Sequence, residues 1–260
     1  MTSSLEPAVV FPSVDELTSA PSAHVAHQKG TVDLWSCSLE GSAAVLARCH
    51  AWLSEEERAR AVRFVRPEDQ SRFTLAHGSL RHVLARYLEV DPSAPRFLTG
   101  LTGKPALRDE QGGSHVLHFN LSHSHGRMLV AVSNGQEVGV DLEQIRDNVE
   151  PLKLAERFYT QAEYDSIKSR PASDQAVLFY RLWVAKEAVL KAQGIGIPSL
   201  QQCEIVASGP SSRASVRVPH GSAVHAGWSI QWLRCGQAWQ GAVSAQGQDW
   251  SVRVLDGKNF

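Results

Sequence analysis

The chain has 260 residues, 43% hydrophobic and 20% charged, the balance of an ordinary globular protein with room for one large domain or two small ones. Lys and Arg number 26 against 27 Asp and Glu, a formal net charge of −1, which argues against nucleic acid as a partner because such affinity needs a basic surface. No apolar run approaches a membrane span, and the four scattered cysteines (Cys37, Cys49, Cys203, Cys235) lack the spacing of a zinc site and read as free thiols of a reducing cytoplasm.

Residues 1–30 lack the basic start and apolar core of a secretory signal. Their Ser, Ala and Pro content fits either a loose extension or a tail that wraps over the body. Ordered structure is expected to begin at the alternating run Val32–Ser38. Ser54 reads as the N-cap of a helix, with Glu57 closing a capping box. A second helix covers roughly Gln70–Leu88 and stops at Asp91-Pro92. A loop with Gly103-Lys104-Pro105 follows, then strands near Val116–Ser122 and Met128–Ser133. An Asn134-Gly135 turn, a hairpin signal, leads into a strand at Val138–Glu143.

Side chains on a strand alternate faces, so Asp141 and Glu143 point one way and Val140 and Leu142 the other. Two acids on one face of a buried strand repel and are costly to desolvate, and a hard divalent cation removes that cost. Beyond it lie a helix at Pro151–Phe158 and a short one opened by Thr160 with Glu163 as a second capping box. A long helix runs Asp174–Gln193 and is closed by Gly194. Leu178, Leu182, Ala185 and Val189 form one stripe of it, and Phe179, Trp183 and Leu190 widen that stripe, so the helix is largely buried. Glu187 lies roughly opposite the first stripe, one turn before Lys191. Taken alone, that pair is as well explained by an exposed i, i+4 ion pair as by a ligand set. From Cys203 to about Val254 the chain reads as short antiparallel strands. The class is α+β, helices with antiparallel strands and no regular βαβ alternation.

GVDLE at 139–143, FYRLWVAKEAVLKAQGIG at 179–196, FNLSHS at 119–124 and TGKP at 102–105 together resemble the 4'-phosphopantetheinyl transferases, specifically the larger, surfactin-synthetase-type branch. The resemblance covers roughly Val32 to the C-terminus, and its strongest part is the W-x-x-K-E-A-x-x-K helix combined with the strand acids. It implies two similar α+β halves packed as an intramolecular pseudo-dimer, with coenzyme A in the cleft between them. An N-terminal extension at 1–30 would precede halves at 31–136 and 137–260, with the hinge near Asn134–Val138. The implied reaction moves the phosphopantetheine arm of coenzyme A onto a serine of an acyl, aryl or peptidyl carrier protein. The protein is expected to be a cytoplasmic monomer.

By that resemblance Asp141, Glu143 and Glu187 bind Mg²⁺, and Glu187 is read as a metal ligand, as the base taking the carrier serine's proton, or as acting through a bound water. Lys191 meets the pantetheine-side phosphate. Ser122 and His123 contact the phosphates and the adenine end, and Lys104 sits in a loop lining the nucleotide pocket. Arg60 meets the 3'-phosphate, with Arg72 a second basic position on the next helix. Asp141, Glu187, Lys191 and His123 form the catalytic set. Lys186 belongs to the signature, and by itself reads as the partner of a strand carboxylate. A lone histidine is more often a satisfied core residue, but for His123 the flanking match outweighs that. Arg58, Arg63 and Arg66 read as solvated surface. The family usually has glycine closely after S-H-S, whereas here His125 intervenes before Gly126 and reads as a bystander rather than an added phosphate contact. Two rivals remain on sequence grounds. One is a module that binds coenzyme A or a carrier without transfer. The other is a phosphatase or nuclease using the same acids.

Overall fold

In the computed structural model, which describes residues 5–19, 25–26, 28–99, 103–109, 112–113, 115–207, 212–217 and 227–255, two sheets lie face to face between two groups of helices. The first sheet has the order β11-β1-β5-β4, from β1 (Thr31–Ser38), β4 (Leu117–Ser124), β5 (Arg127–Asn134) and β11 (Ser251–Leu255). The second has the order β6-β10-β9-β8-β7, from β6 (Val138–Gln144), β7 (Glu204–Ala207), β8 (Arg213–Arg217), β9 (Trp228–Leu233) and β10 (Trp239–Gln246). A short pair, β2 (Phe97–Thr99) and β3 (Pro105–Leu107), stands beside the first sheet.

Alternation sorts the side chains into three cores. Trp35, Cys37, Met128, Val130 and Val132 face outward onto α2 (Ala43–Trp52) and α4 (Pro67–Leu88). Val32, Leu34, Leu129 and Ala131 face inward and meet Val138, Val140, Leu142, Val243 and Ala245 of the second sheet. The outer face of the second sheet is covered by α7 (Ala172–Gln193), with α5 (Pro151–Phe158) and α6 (Gln161–Lys168) against it. A one-residue slip of β6 would drive Asp141 and Glu143 into the apolar layer between the sheets, so its register is fixed. Each half is thus a sheet, antiparallel but for the β1–β11 pair of the first, under a 22-residue helix, α4 in one and α7 in the other. The class is α+β.

Both capping boxes form, at Ser54–Glu57 on α3 (Glu55–Ala61) and at Thr160–Glu163 on α6. Gly194 closes α7 with φ 68, the left-handed conformation that costs glycine nothing. The second helix ends at Leu88, with Glu89 in the same conformation at φ 56, ahead of Asp91-Pro92.

Three expectations are corrected. Asn134-Gly135 is a turn, with Gly135 at φ 70, but it does not join a hairpin: β5 belongs to the first sheet and β6 to the second. The last strand, β11, leaves the second half and pairs in parallel with β1. Order begins before Val32: α1 (Val14–Ser19) precedes β1, and the stretch ahead of it bridges Ala8 to Arg234 in one half and Ser13 to Ser38 in the other.

Candidate active site

The site forms where β6 runs between β4 and α7, and Gly139 permits the approach. A Cβ at that position would lie 2.0 Å from the Ala188 carbonyl oxygen and 2.5 Å from the Ala192 nitrogen. Helix and strand touch backbone to backbone there. The residues two and four further along β6, Asp141 and Glu143, therefore face the segment of α7 that carries Glu187 and Lys191.

On its other side β6 is held by a row of polar side chains from FNLSHS. Asn120 Oδ1 accepts from the Val140 N–H at 2.9 Å, and Ser122 Oγ accepts from the Leu142 N–H at 3.3 Å. Ser122 also donates to Asp141 Oδ1 at 2.9 Å, and Ser124 donates to Glu143 Oε2 at 2.9 Å. Residues 120, 122 and 124 alternate along β4 as their partners do along β6. Asn120 and Ser122 satisfy backbone donors of β6 that its sheet neighbour β10 leaves unpaired, whereas Ser124 reaches only the Glu143 side chain of that strand.

Lys191 Nζ completes the cluster, donating to Asp141 Oδ1 at 2.6 Å and to Ser122 Oγ at 3.0 Å. Burial, then the charge of Asp141, pushes the Glu187 carboxyl up to about 7, with Lys191 opposing and Glu143 adding to the rise. Glu143 is raised too, by burial first and Asp141 second. Asp141 acts on both Glu187 and Glu143, and Glu143 acts on Glu187, so the three acids lie within electrostatic reach of one another. Asp141 Oδ2 and Glu187 Oε1 are buried and have no hydrogen-bond partner among the described residues.

Two buried, acceptor-only oxygens beside repelling carboxylates are the donor set that a small hard cation takes. Among the described residues no three His, Cys, Asp or Glu side chains converge closely enough to enclose an ion by themselves. An ion at this place needs water or substrate oxygens to fill its shell.

From the acids a cationic track leads away. His123 lies near the end of β4. The surrounding walls desolvate it, and His77, Lys191 and Arg60 repel its proton, which together bring its pKa down to about 4. Arg60 and His77 line a cleft of about 490 Å³ with Arg81, Arg96, Phe97, Gly103, Pro105 and Arg108. Glu57 anchors its floor. Burial works against that carboxylate, but hydrogen bonds from His77, the Ser54 N–H and Arg81 hold it down at about 2.

Asp141, Glu143, Glu187, Lys191, Ser122 and His123 are thus brought together, with Arg60 at the far end of the same track. Three other residues stand elsewhere. Arg72 is exposed on α4, 3.4 Å from Asp69, and does not line the cleft. Lys104 reaches across to the second half instead, to Glu137 Oε2 at 2.5 Å and to the Ala192 carbonyl in the last turn of α7 at 2.7 Å. Lys186 is fully buried on Glu163 Oε2 at 2.5 Å and the Cys203 carbonyl at 2.6 Å. Its partner is the capping carboxylate of α6, not a strand acid, so Lys186 ties three elements together behind the site. Asn120, Ser124 and His77 went unassigned from sequence. The alternation N-x-S-x-S opposite V-D-L-E was the available signal for the first two.

Comparison with known proteins gives matches over most of the chain. Residues 137–244 match the 4'-phosphopantetheinyl transferase superfamily, and residues 35–136 match the family described as 4'-phosphopantetheinyl transferase, N-terminal. The chain is 41% identical over 174 residues to the 4'-phosphopantetheinyl transferase HetI of a Nostoc species, covering 67% of this chain and 73% of that protein. It is 39% identical over 164 residues to a putative 4'-phosphopantetheinyl transferase of a Synechocystis species, covering 63% and 65%. It is 33% identical over 150 residues to Sfp of Bacillus subtilis, covering 58% and 64%. A crystal structure of Thermotoga maritima holo-[acyl-carrier-protein] synthase aligns over 43% of this chain and 63% of its own, at 19% identity and a TM-score of 0.34.

Proposed function

This chain belongs to the 4'-phosphopantetheinyl transferase superfamily, and from that membership and the site we propose a Mg²⁺-dependent transfer of the phosphopantetheine arm of coenzyme A to a serine of an apo carrier protein, with release of adenosine 3',5'-bisphosphate. The observation that carries the proposal is the pair of orphaned oxygens, Asp141 Oδ2 and Glu187 Oε1, at the head of a track of cations. Buried carboxylates left unmet beside a positive groove suit a diphosphate that arrives with a divalent ion.

Asp141, Glu143 and Glu187 would hold the Mg²⁺, with water and phosphate oxygens completing its shell. When bound, the ion supplies Lewis-acid neutralisation of a diphosphate under attack. Lys191 binds the phosphate on the pantetheine side, and Ser122 holds Lys191 and Asp141 in register. His123, neutral at physiological pH, donates to the diphosphate, and Arg60 with its neighbours in the cleft binds the nucleotide's 3'-phosphate. The carrier serine oxygen forms a bond to the pantetheine-side phosphorus, and the bond from that phosphorus to the bridging oxygen breaks. The leaving bisphosphate takes the electron pair. A Glu187 carboxylate oxygen takes the serine proton, and a carboxyl at about 7 is poised for that exchange. Positioning and charge neutralisation supply most of the rate, with no covalent enzyme intermediate.

The carrier docks beside α5 and α6, which pack on α7, the helix that carries Glu187 and Lys191. Four buried cysteines without disulfides support a reducing cytoplasm as the setting, where the chain acts as a monomer.

Incubation with coenzyme A, Mg²⁺ and a panel of apo acyl, aryl and peptidyl carriers tests the reading by mass spectrometry. At least one carrier gains the mass of the arm, and a chelator or Asp141→Ala stops the gain. No gain on any carrier overturns it.

A further inference from the structure

Resting on the transferase reading, we propose that Ser124 and His125 are a positioning pair that fixes the carboxylate of Glu143 for its ion. Ser124 Oγ donates to Glu143 Oε2 at 2.9 Å and lies 3.0 Å from His125 Nδ1. A hydroxyl has one proton to give. Once that proton is on Glu143, the contact with His125 requires the imidazole to donate through Nδ1–H. The bonds therefore run in one direction, from His125 to Ser124 to Glu143. Ser124 is only 9% exposed, and among the described residues Glu143 receives no other side-chain hydrogen bond.

The local backbone explains how His125 is held there. Ser124 and Arg127 pair across the β4–β5 hairpin, so His125 and Gly126 are the two central residues of its turn. They adopt φ 46 and φ 100, the positive values that such a tight turn requires at both positions. Glycine accepts this freely and histidine does not. A ring in that strained position can still be favoured if it makes a contact that glycine cannot, and the contact it makes is with Ser124. His125 stands between S-H-S and Gly126, so the turn places its ring beside the serine that serves the second strand acid.

The role differs from those of the other two members of the β4 row. Asn120 holds only backbone, and Ser122 serves Asp141 and Lys191. Partners that orient a metal-binding carboxylate act on ion affinity more than on substrate affinity, typically by a factor of about 10 to 100.

Wild type, Ser124→Ala, Ser124→Thr and His125→Gly are compared by Mn²⁺ binding in the presence of coenzyme A, read by electron paramagnetic resonance without any carrier. Transfer assays then give the Mg²⁺ concentration for half-maximal rate. Ser124→Ala weakens Mn²⁺ about tenfold and raises the Mg²⁺ requirement in step, with a smaller change in KM for coenzyme A. Ser124→Thr keeps the hydroxyl and stays near wild type. His125→Gly weakens Mn²⁺ about threefold, the worth of one modest hydrogen bond, while its melting temperature does not fall because glycine relieves the turn. Unchanged Mn²⁺ affinity in Ser124→Ala overturns the proposal, as does a loss in Ser124→Thr equal to that in Ser124→Ala. Should Ser124→Ala not fold, His125→Gly decides alone, and wild-type Mn²⁺ affinity in that variant overturns the pair. A wild type that binds Mn²⁺ but transfers to no carrier overturns the transferase reading instead, so the two failures are distinct.

Discussion

Lys191 Nζ stands 2.6 Å from Asp141 Oδ1, joining the end of α7 to the centre of β6 at the point where the orphaned oxygens lie. The lysine is half-buried and the aspartate almost fully buried, so this contact is not an exposed surface pair of negligible worth. Its charge also lowers the pKa of Glu187. Lys191→Met therefore has two separable effects. Losing a phosphate-binding cation costs on the order of 100-fold in kcat/KM. Losing its field lets the Glu187 pKa climb, so the acid limb of the rate profile moves to higher pH. A pH–rate profile at saturating Mg²⁺ that keeps the same acid limb would contradict the second effect.

Glu187 carries a linked effect on stability. Its folded pKa, about 7, lies above the ordinary value of 4.5. The folded protein then holds a proton that the unfolded chain has already lost. Its contribution is fully present below about pH 4.5 and is lost as pH rises through about 7. Glu187→Gln removes the buried charge and should be more stable than wild type at pH 8, by on the order of 2 kcal/mol, but not at pH 4. Urea denaturation at the two pH values without divalent ions measures the gap. Adding Mg²⁺ with coenzyme A should narrow it at pH 8 by stabilising the wild type.

The glycine of GVDLE is tested by one methyl group. Gly139→Ala would put a Cβ 2.0 Å from the Ala188 carbonyl, which is backbone and cannot rotate away. Strand and helix must separate, and the acids separate with them. A loss of about 3 kcal/mol or more is expected, with transfer activity falling further than the unfolded fraction accounts for. A variant with wild-type melting and activity would show that β6 and α7 are not locked by this contact.

Lys186 lies next to Glu187 in sequence yet faces Glu163. Lys186→Met strands a buried carboxylate and should cost about 3 to 5 kcal/mol, whereas Lys186→Met combined with Glu163→Gln recovers part of it. Any folded protein should turn over near the wild-type kcat. A stable Lys186→Met that is catalytically dead would place the ammonium in the chemistry after all.

How far these features could be read from the chain depends on the distance over which each is determined. Periodicity of two sets the shared face of Asp141 and Glu143, and both capping boxes depend on residues three apart, so these are local and legible. Asn134-Gly135 is local as well, but a turn has the same chemistry whether its strands pair or part into different sheets. The parallel pairing of β11 with β1 joins Ser251 to Thr31 and has no local signature. His77 and Arg81 sit within an otherwise core-facing helix, and only the fold shows that this stretch borders a cleft beside Glu57. The family resemblance supplied the grouping of acids, lysine and histidine, while Lys104 and Arg72 show that a matched position does not by itself fix where a side chain goes.

His123 reports on whether an anion enters the track. Its pKa, about 4, is low because the site desolvates the ring and because His77, Lys191 and Arg60 oppose a further positive charge. A diphosphate placed among these groups offsets their field and accepts a hydrogen bond from the ring, and both effects favour the protonated imidazole. Bound coenzyme A should therefore raise the His123 pKa by a unit or more, roughly 1.4 kcal/mol of coupling per unit. By linkage, coenzyme A should bind more tightly as pH falls through the bound-state value, provided the measurement is made without divalent ions so that proton competition at the acids does not mask it. Carbon-detected NMR of the labelled histidines, titrated with and without coenzyme A, follows the ring directly, and His123→Ala assigns the resonance. The same titration on an Arg60→Ala background should start from a higher free-state pKa, since one of the repelling charges is gone. If the His123 resonance titrates near 4 whether or not coenzyme A is bound, the diphosphate does not lie along this track, and the binding mode proposed for the nucleotide must be redrawn.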